Sequence, residues 1–278
     1  TLIFGDAAGP LAHLIEPVLL PLALATLGVA VLGVLAAQGL RRQTAYLVVL
    51  SVGTLLTAFA LGTRDGIAAG LYYLPHSTFA AAALFLLADV IARGRGAMGD
   101  RLEPGPAVPA APLVGGLFFL VAVLIAGLPP LSGFLGKWML LQAALERPAM
   151  PWIFALVLTA GLLTILALAR TGSMLFYRAA AGGGDASALA LVSGLASAVG
   201  RDDPSQRSDG WRCDIGAPAM RAGPDWKRLA PVLALTGLCL VLVAAAGPVT
   251  AFTAATADAL LAPERYIEAV LGGVVGGR

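Results

Sequence analysis

Six runs of apolar residues, at about 16–38, 43–62, 69–92, 112–145, 152–177 and 229–252, constrain this chain more than any other feature. An α-helix needs roughly 20 mostly apolar residues to cross about 30 Å of hydrocarbon, and every run is that long or longer. In hydrocarbon each backbone N–H and C=O must be satisfied within the protein, which leaves the helix as the form such runs take. Only 12% of the residues are charged and 59% are hydrophobic, against about 25% charged in a soluble domain. The expected fold is therefore all-α: a polytopic membrane helix bundle with six transmembrane segments.

The fourth run is too long for one crossing at about 1.5 Å per residue. It also contains "LIAGLPPLSGFLGKWMLL" (124–141), where prolines, glycines and a lysine sit among leucines. Pro129 and Pro130 lack a backbone donor, and Ser132 and Gly133 let the chain unwind. The expectation is two half-helices broken near 129–133. Free carbonyls and amides at that depth must line a cavity or be buried in protein. Lys137 lies about eight residues, or about 12 Å, inside the end of the run. That is too far for easy snorkelling, and a mid-bilayer charge costs at least about 2.5–3.5 kcal/mol. An ammonium there is tolerable only beside water or a counter-charge. Burial lowers a lysine pKa and a nearby carboxylate raises it again, and a lysine poised between the two can load and release a proton.

Arginine placement gives a direction. "LRRQ" (40–43), "ARGRGAMGDR" (92–101) and segment 178–228 hold most of the arginines, while the opposite loops hold Arg64, Arg147, Arg265 and Arg278. The positive-inside rule puts the first set in the cytoplasm and both ends of this chain outside. The expected layout is a membrane domain over 1–177, a flexible cytoplasmic loop over 178–228, a final crossing at 229–252 and an extracytoplasmic tail over 253–278. Within the loop, 188–200 reads either as a short helix on the membrane face or as partly ordered chain. The start, "TLIFGDAAGP", has no basic leader and reads as the tail of an earlier apolar segment, so the chain is expected to be a C-terminal portion of something longer.

Each of the other ionisable groups has its own reading. His76 lies inside the third run, with an imidazole suited to proton relay or to a neutral hydrogen bond between helices. Pro75 loosens the helix before it. Ser77 and Thr78 can rebond the freed backbone, and Tyr72 adds a further supporting hydroxyl. Arg170 either snorkels or pairs with a carboxylate or water on the inner side. Asp89 is expected to pair with Arg93 at i, i+4; Glu16 reads as a helix N-terminal acid and His13 as interfacial. Cys213 and Cys239 lie in different environments, so no disulfide is expected, and two histidines give no metal site. "AGGGD" lacks the context of a phosphate loop. No flavin, haem or cluster motif appears, so no cofactor is expected.

"LAAQGLRRQTAYLVVLSVGTLL", "YYLPHSTFAAAALFLLADVIARGRG" and "AGLPPLSGFLGKWMLL" resemble the proton-translocating subunit family shared by respiratory complex I and multisubunit sodium/proton antiporters. "HSTFAAAALFLLADVIARGRG" and the tail "PERYIEAVLGG" resemble the D-subunit branch of Mrp-type antiporters. The resemblance implies the second inverted repeat and last helix of a fourteen-crossing subunit, with the family's earlier glutamate and lysines upstream of Thr1. It implies proton transfer through Lys137 and His76, in a bacterial cell membrane. The implied partners are the other subunits of a hetero-oligomeric antiporter, protons, Na+ at the level of the complex and the lipid bilayer, without nucleic acid. Two alternatives stay open: a membrane subunit of complex I or a hydrogenase, and a non-conducting scaffold.

Overall fold

The computed structural model describes residues 16–177 and 225–262. The expected loop feature at 188–200, the tail beyond 262, Cys213 and His13 lie outside these residues. Among the described residues eight α-helices run α1 (Glu16–Ala36), α2 (Leu40–Ala60), α3 (Arg64–Gly94), α4 (Ala111–Ala126), α5 (Ser132–Ala144), α6 (Met150–Gly172), α7 (Trp226–Ala244) and α8 (Ala246–Leu261). A 3-10 turn follows α3 at Gly96–Met98, and a π turn, Ser173–Tyr177, ends α6. Among the described residues five helical segments are long and apolar enough to cross a membrane, and α4 is a shorter apolar helix. The chain is an all-helical, multi-pass membrane bundle.

α3 is the central post, packed against α2, α4, α5, α7 and α8. It starts where Thr63 caps it, the hydroxyl accepting from the Gly66 amide at 3.1 Å, and it runs longer than the expected 69–92. The helices turn large apolar side chains outward, as at Val29, Leu32, Phe119, Trp152 and Phe252, and keep threonines inside. Lipid is as apolar as leucine, so nothing drives leucines inward; close packing and hydrogen bonds do the joining. Buried Thr44, Thr57, Thr164 and Thr236 each donate to the carbonyl four residues back, at 2.7–2.8 Å. α1 and α2 touch backbone to side chain: a Cβ on Gly33 would collide with the Tyr46 ring.

Three boundaries differ from the sequence expectation. Arg41, Arg42 and Gln43, expected in a loop, form the first turn of α2. The final crossing, expected as one helix over 229–252, is two: α7 ends at Ala244 and α8 starts at Ala246. Pro248 explains this, because it cannot donate to the carbonyl of Ala244 and its ring crowds that carbonyl. In the fourth run the break is at 127–131, and Ser132 and Gly133 are the first residues of α5, not unwound chain.

Candidate functional site

The break is made by Gly127. It ends α4 in the left-handed region, φ +77°, which only glycine adopts without steric cost, and the chain then passes through a cis Pro129–Pro130 bond. The carbonyls in the last turn of a helix lack intrahelical partners. The Ala126 carbonyl finds one in Lys137, whose Nζ donates to it at 2.8 Å. A cation at a helix C-terminus also meets the negative end of the helix dipole. So α5 sends its one lysine back to the end of α4. A Cβ on Gly127 would lie 3.0 Å from Nζ and 3.2 Å from the Gly133 carbonyl, which shows how closely the three groups gather.

On the other side of Gly133 stands His76. A Cβ on Gly133 would fall 2.8 Å from His76 Nε2 and would collide with the Leu124 carbonyl. The absent side chain is what lets α3 and the end of α4 meet α5 there. The other ring nitrogen, Nδ1, is 2.8 Å from Ser132 Oγ, and both residues are buried, at 1% and 0% exposure. Tyr73 packs on the imidazole with ring centroids 5.5 Å apart. It reaches its place because a Cβ on Gly136 would lie 2.7 Å from its ring. A cavity of about 10 Å³ adjoins His76, lined by Leu47, Ser51, Tyr73, Ser77 and neighbours; that is the space of one water molecule. The arrangement gathers a hydroxyl, an imidazole and an amine, groups whose chemistry allows proton exchange, around bare backbone that offers only hydrogen bonds.

The structure gathers some expected residues and separates others. Lys137, His76, Ser132 and Gly133 meet, and Ser77 lines the small cavity with its hydroxyl donating to the Leu74 carbonyl at 3.0 Å. Pro129 and Pro130 are exposed and form the connection. Thr78 is exposed and also donates to Leu74; the carbonyl that Pro75 frees is that of Leu71, so neither hydroxyl mends it. Tyr72 is buried elsewhere, donating to the Leu242 carbonyl of α7 at 3.3 Å. Arg170 lines a different cavity with Gln38, Gln43, Glu103 and Thr171. Sequence reasoning missed Ala126, Gly127 and Ser51, whereas Tyr73 is among the polar residues that it notes beside His76. Gly127 directly precedes "LPP", a signal for a helix end.

At the arginine-rich end, Asp89 does pair with Arg93, at 2.7 Å, but it also accepts from Arg41 at 2.9 Å and has Arg228 at 3.8 Å. One carboxylate thus ties α2, α3 and α7.

Residues 7–164 match the family described as NADH:quinone oxidoreductase/Mrp antiporter, transmembrane. The chain belongs to that family. It is 34% identical over 289 residues to the D subunit of a probable K+/H+ antiporter from Rhizobium meliloti (strain 1021), covering 97% of this chain and 48% of the relative. It is 28% identical over 271 residues to the D subunit of the Na+/H+ antiporter from Alkalihalophilus pseudofirmus, covering 98% and 47%. The Mrp complex from Dietzia sp. DQ12-45-1b superposes with a TM-score of 0.68 at 26% identity, over 92% of this chain and 49% of that one. The chain spans about half the length of the relatives it matches.

Proposed function

We propose that this chain conducts protons within a multisubunit cation/proton antiporter, exchanging them between His76 and Lys137. One observation supports this most: the helix break puts the Lys137 ammonium on a backbone carbonyl, and among the described residues no carboxylate pairs with it. An ion pair would fix the charge, whereas a neutral partner leaves the amine free to give up its proton. In the proposed step, water hands a proton to His76 and Ser132 orients the ring through Nδ1. Once Lys137 has released its own proton, the imidazole gives one up to the neutral amine past the bare Gly133 backbone, one N–H bond breaking as the other forms. Moving one charge through 100 mV involves about 2.3 kcal/mol, so the transfer must be coupled to the exchanging cation. Relatives named for K+ and for Na+ leave two cations to compare; we take Na+ as the first.

The membrane is the bacterial cell membrane, with the arginine-rich end cytoplasmic and both ends of this chain outside. The chain passes from α6 to α7 on the cytoplasmic side. The partners are the other antiporter subunits, no cofactor takes part, and the chain is not an enzyme in its own right. A second reading, a complex I-type membrane subunit, follows from the two-part family description. The residues would act alike there, and co-purification decides. Small antiporter subunits support the first reading, and flavin and iron–sulfur subunits the second. In proteoliposomes holding the full-length complex, Lys137→Ala is expected to abolish Na+- or K+-driven proton exchange while assembly persists. Retained exchange would refute the relay.

A further inference from the structure

At the arginine-rich end, a cavity of about 230 Å³ opens between α1, α2, α6 and the loop after α3. At about 30 Å³ per liquid water it has room for several molecules. Arg170 and Glu103 face it, and its inner wall is Gln43, only 2% exposed. Gln43 Oε1 accepts from Thr171 at 2.9 Å. Its Nε2 reaches only the Val34 carbonyl, at 3.5 Å, so the amide's donor capacity is little used.

Gln43, Leu47 and Ser51 are spaced i, i+4, i+8 and so share one face of α2. Leu47 and Ser51 line the one-water cavity that touches His76. Along this face a polar vestibule is followed by one leucine, then a space for a single water, then the imidazole. Gln43 and Ser51 are about 12 Å apart along the axis. Leu47 sits midway and is 2% exposed.

We infer that Leu47 is a hydrophobic gate on a proton inlet running from the Gln43–Thr171 vestibule to His76. The inference rests on the reading of His76 as a proton carrier. An apolar constriction blocks conduction by excluding water. When the Leu47 side chain swings aside, waters link Gln43 to Ser51. A proton then hops inward, each step forming one O–H bond as another breaks and the last forming the N–H of the imidazole. No further reactant is consumed.

The test uses the full-length complex in proteoliposomes with an imposed proton gradient and no exchanging cation. Leu47→Ala and Leu47→Ser are expected to dissipate the gradient at least about five-fold faster than the parent, and Leu47→Phe to slow cation-driven exchange by a similar factor. If these variants match the parent while Lys137→Ala is inactive, the inlet is overturned and the relay stands. If Leu47→Ser leaks while Lys137→Ala keeps full exchange, the gate stands and the relay fails. A second measurement needs no transport. In Ser51→Cys, a charged methanethiosulfonate added at the arginine-rich face is expected to modify position 51 about ten-fold faster once Leu47 is Ala, read by peptide mass. An unchanged rate overturns the inlet.

Discussion

The helix break at 127–131 and the Asp89 cluster both collect charge from several helices, and they handle it in opposite ways. At Asp89 one carboxylate meets up to three guanidiniums, and all four groups are partly exposed. Arginine does not deprotonate in proteins, so nothing there exchanges a proton. At the break a lysine meets a carbonyl, and a buried histidine meets a serine. Lysine and histidine both change charge within reach of cellular conditions. The first cluster fastens helices, and the second is the proposed proton path. What separates them is the partner: an acid fixes a positive charge, and bare backbone only steadies it.

The strongest challenge to this contrast is Lys137→Arg, which keeps the cation and removes the exchange. Transport is expected to fall about 10²-fold or more, the scale of losing a positioned acid–base group, with assembly unchanged on size-exclusion chromatography. If the arginine variant transported at half the parental rate, the break would be no different in kind from the Asp89 cluster.

Gly133→Ala asks whether the close approach matters. The added methyl would collide with the Leu124 carbonyl and lie 2.8 Å from His76 Nε2. Neither backbone nor a packed ring yields readily, so overpacking should cost about 1–3 kcal/mol, read as a lower unfolding temperature in detergent. Transport should fall with it. Gly127→Ala meets mainly the end of a flexible lysine, with the Gly133 carbonyl at 3.2 Å, so most of its cost comes from positive φ, about 1–2 kcal/mol. Equal effects at the two glycines would deny the special place given to Gly133.

Ser132→Ala sharpens the comparison from the histidine side. The imidazole loses the 2.8 Å partner of Nδ1, a net change of about 0.5–1.5 kcal/mol. Transport per folded complex should drop about three- to ten-fold on top of that modest loss of stability, and Ser132→Thr should restore most of it. A purely structural serine would lower the unfolding temperature and leave the transport rate of the folded fraction intact.

How much of this is legible in the sequence depends on what each residue contrasts with. Lys137 and His76 stand out because ionisable groups are costly in hydrocarbon, and the prolines announce a broken helix. The place of the break is less legible. Prolines mark where a donor is missing, but the helix ends at Gly127, and Ser132 and Gly133 serve α5 by admitting the imidazole. The division of the last crossing into α7 and α8 is written in Gly247 and Pro248, yet hydropathy averages pass over a break flanked by alanines. The depth of Arg170 along α6 suggests a place near the site. Depth gives no azimuth, and the residue faces another cavity. The i, i+4, i+8 row on α2 is visible as spacing, but only the cavities at its two ends give it meaning.

Asp89→Asn should have the smallest effect, and the contrast requires that it be small. The side chain keeps its shape and loses its charge, leaving Arg41, Arg93 and Arg228 close together with one fewer counter-charge. Exposed ion pairs contribute about 0–1 kcal/mol each. Salt screens them over about 8 Å at physiological ionic strength. The variant should therefore unfold a few degrees earlier at low salt, and the difference should shrink as salt is raised, with the transport rate per assembled complex unchanged. α7 carries Cys239 against the His76 backbone carbonyl, at 4.0 Å, so the cluster does have a mechanical route to the site. A salt-independent loss of transport in Asp89→Asn would mean that this route matters, and that fastening helices and moving protons are one task in this molecule, not two.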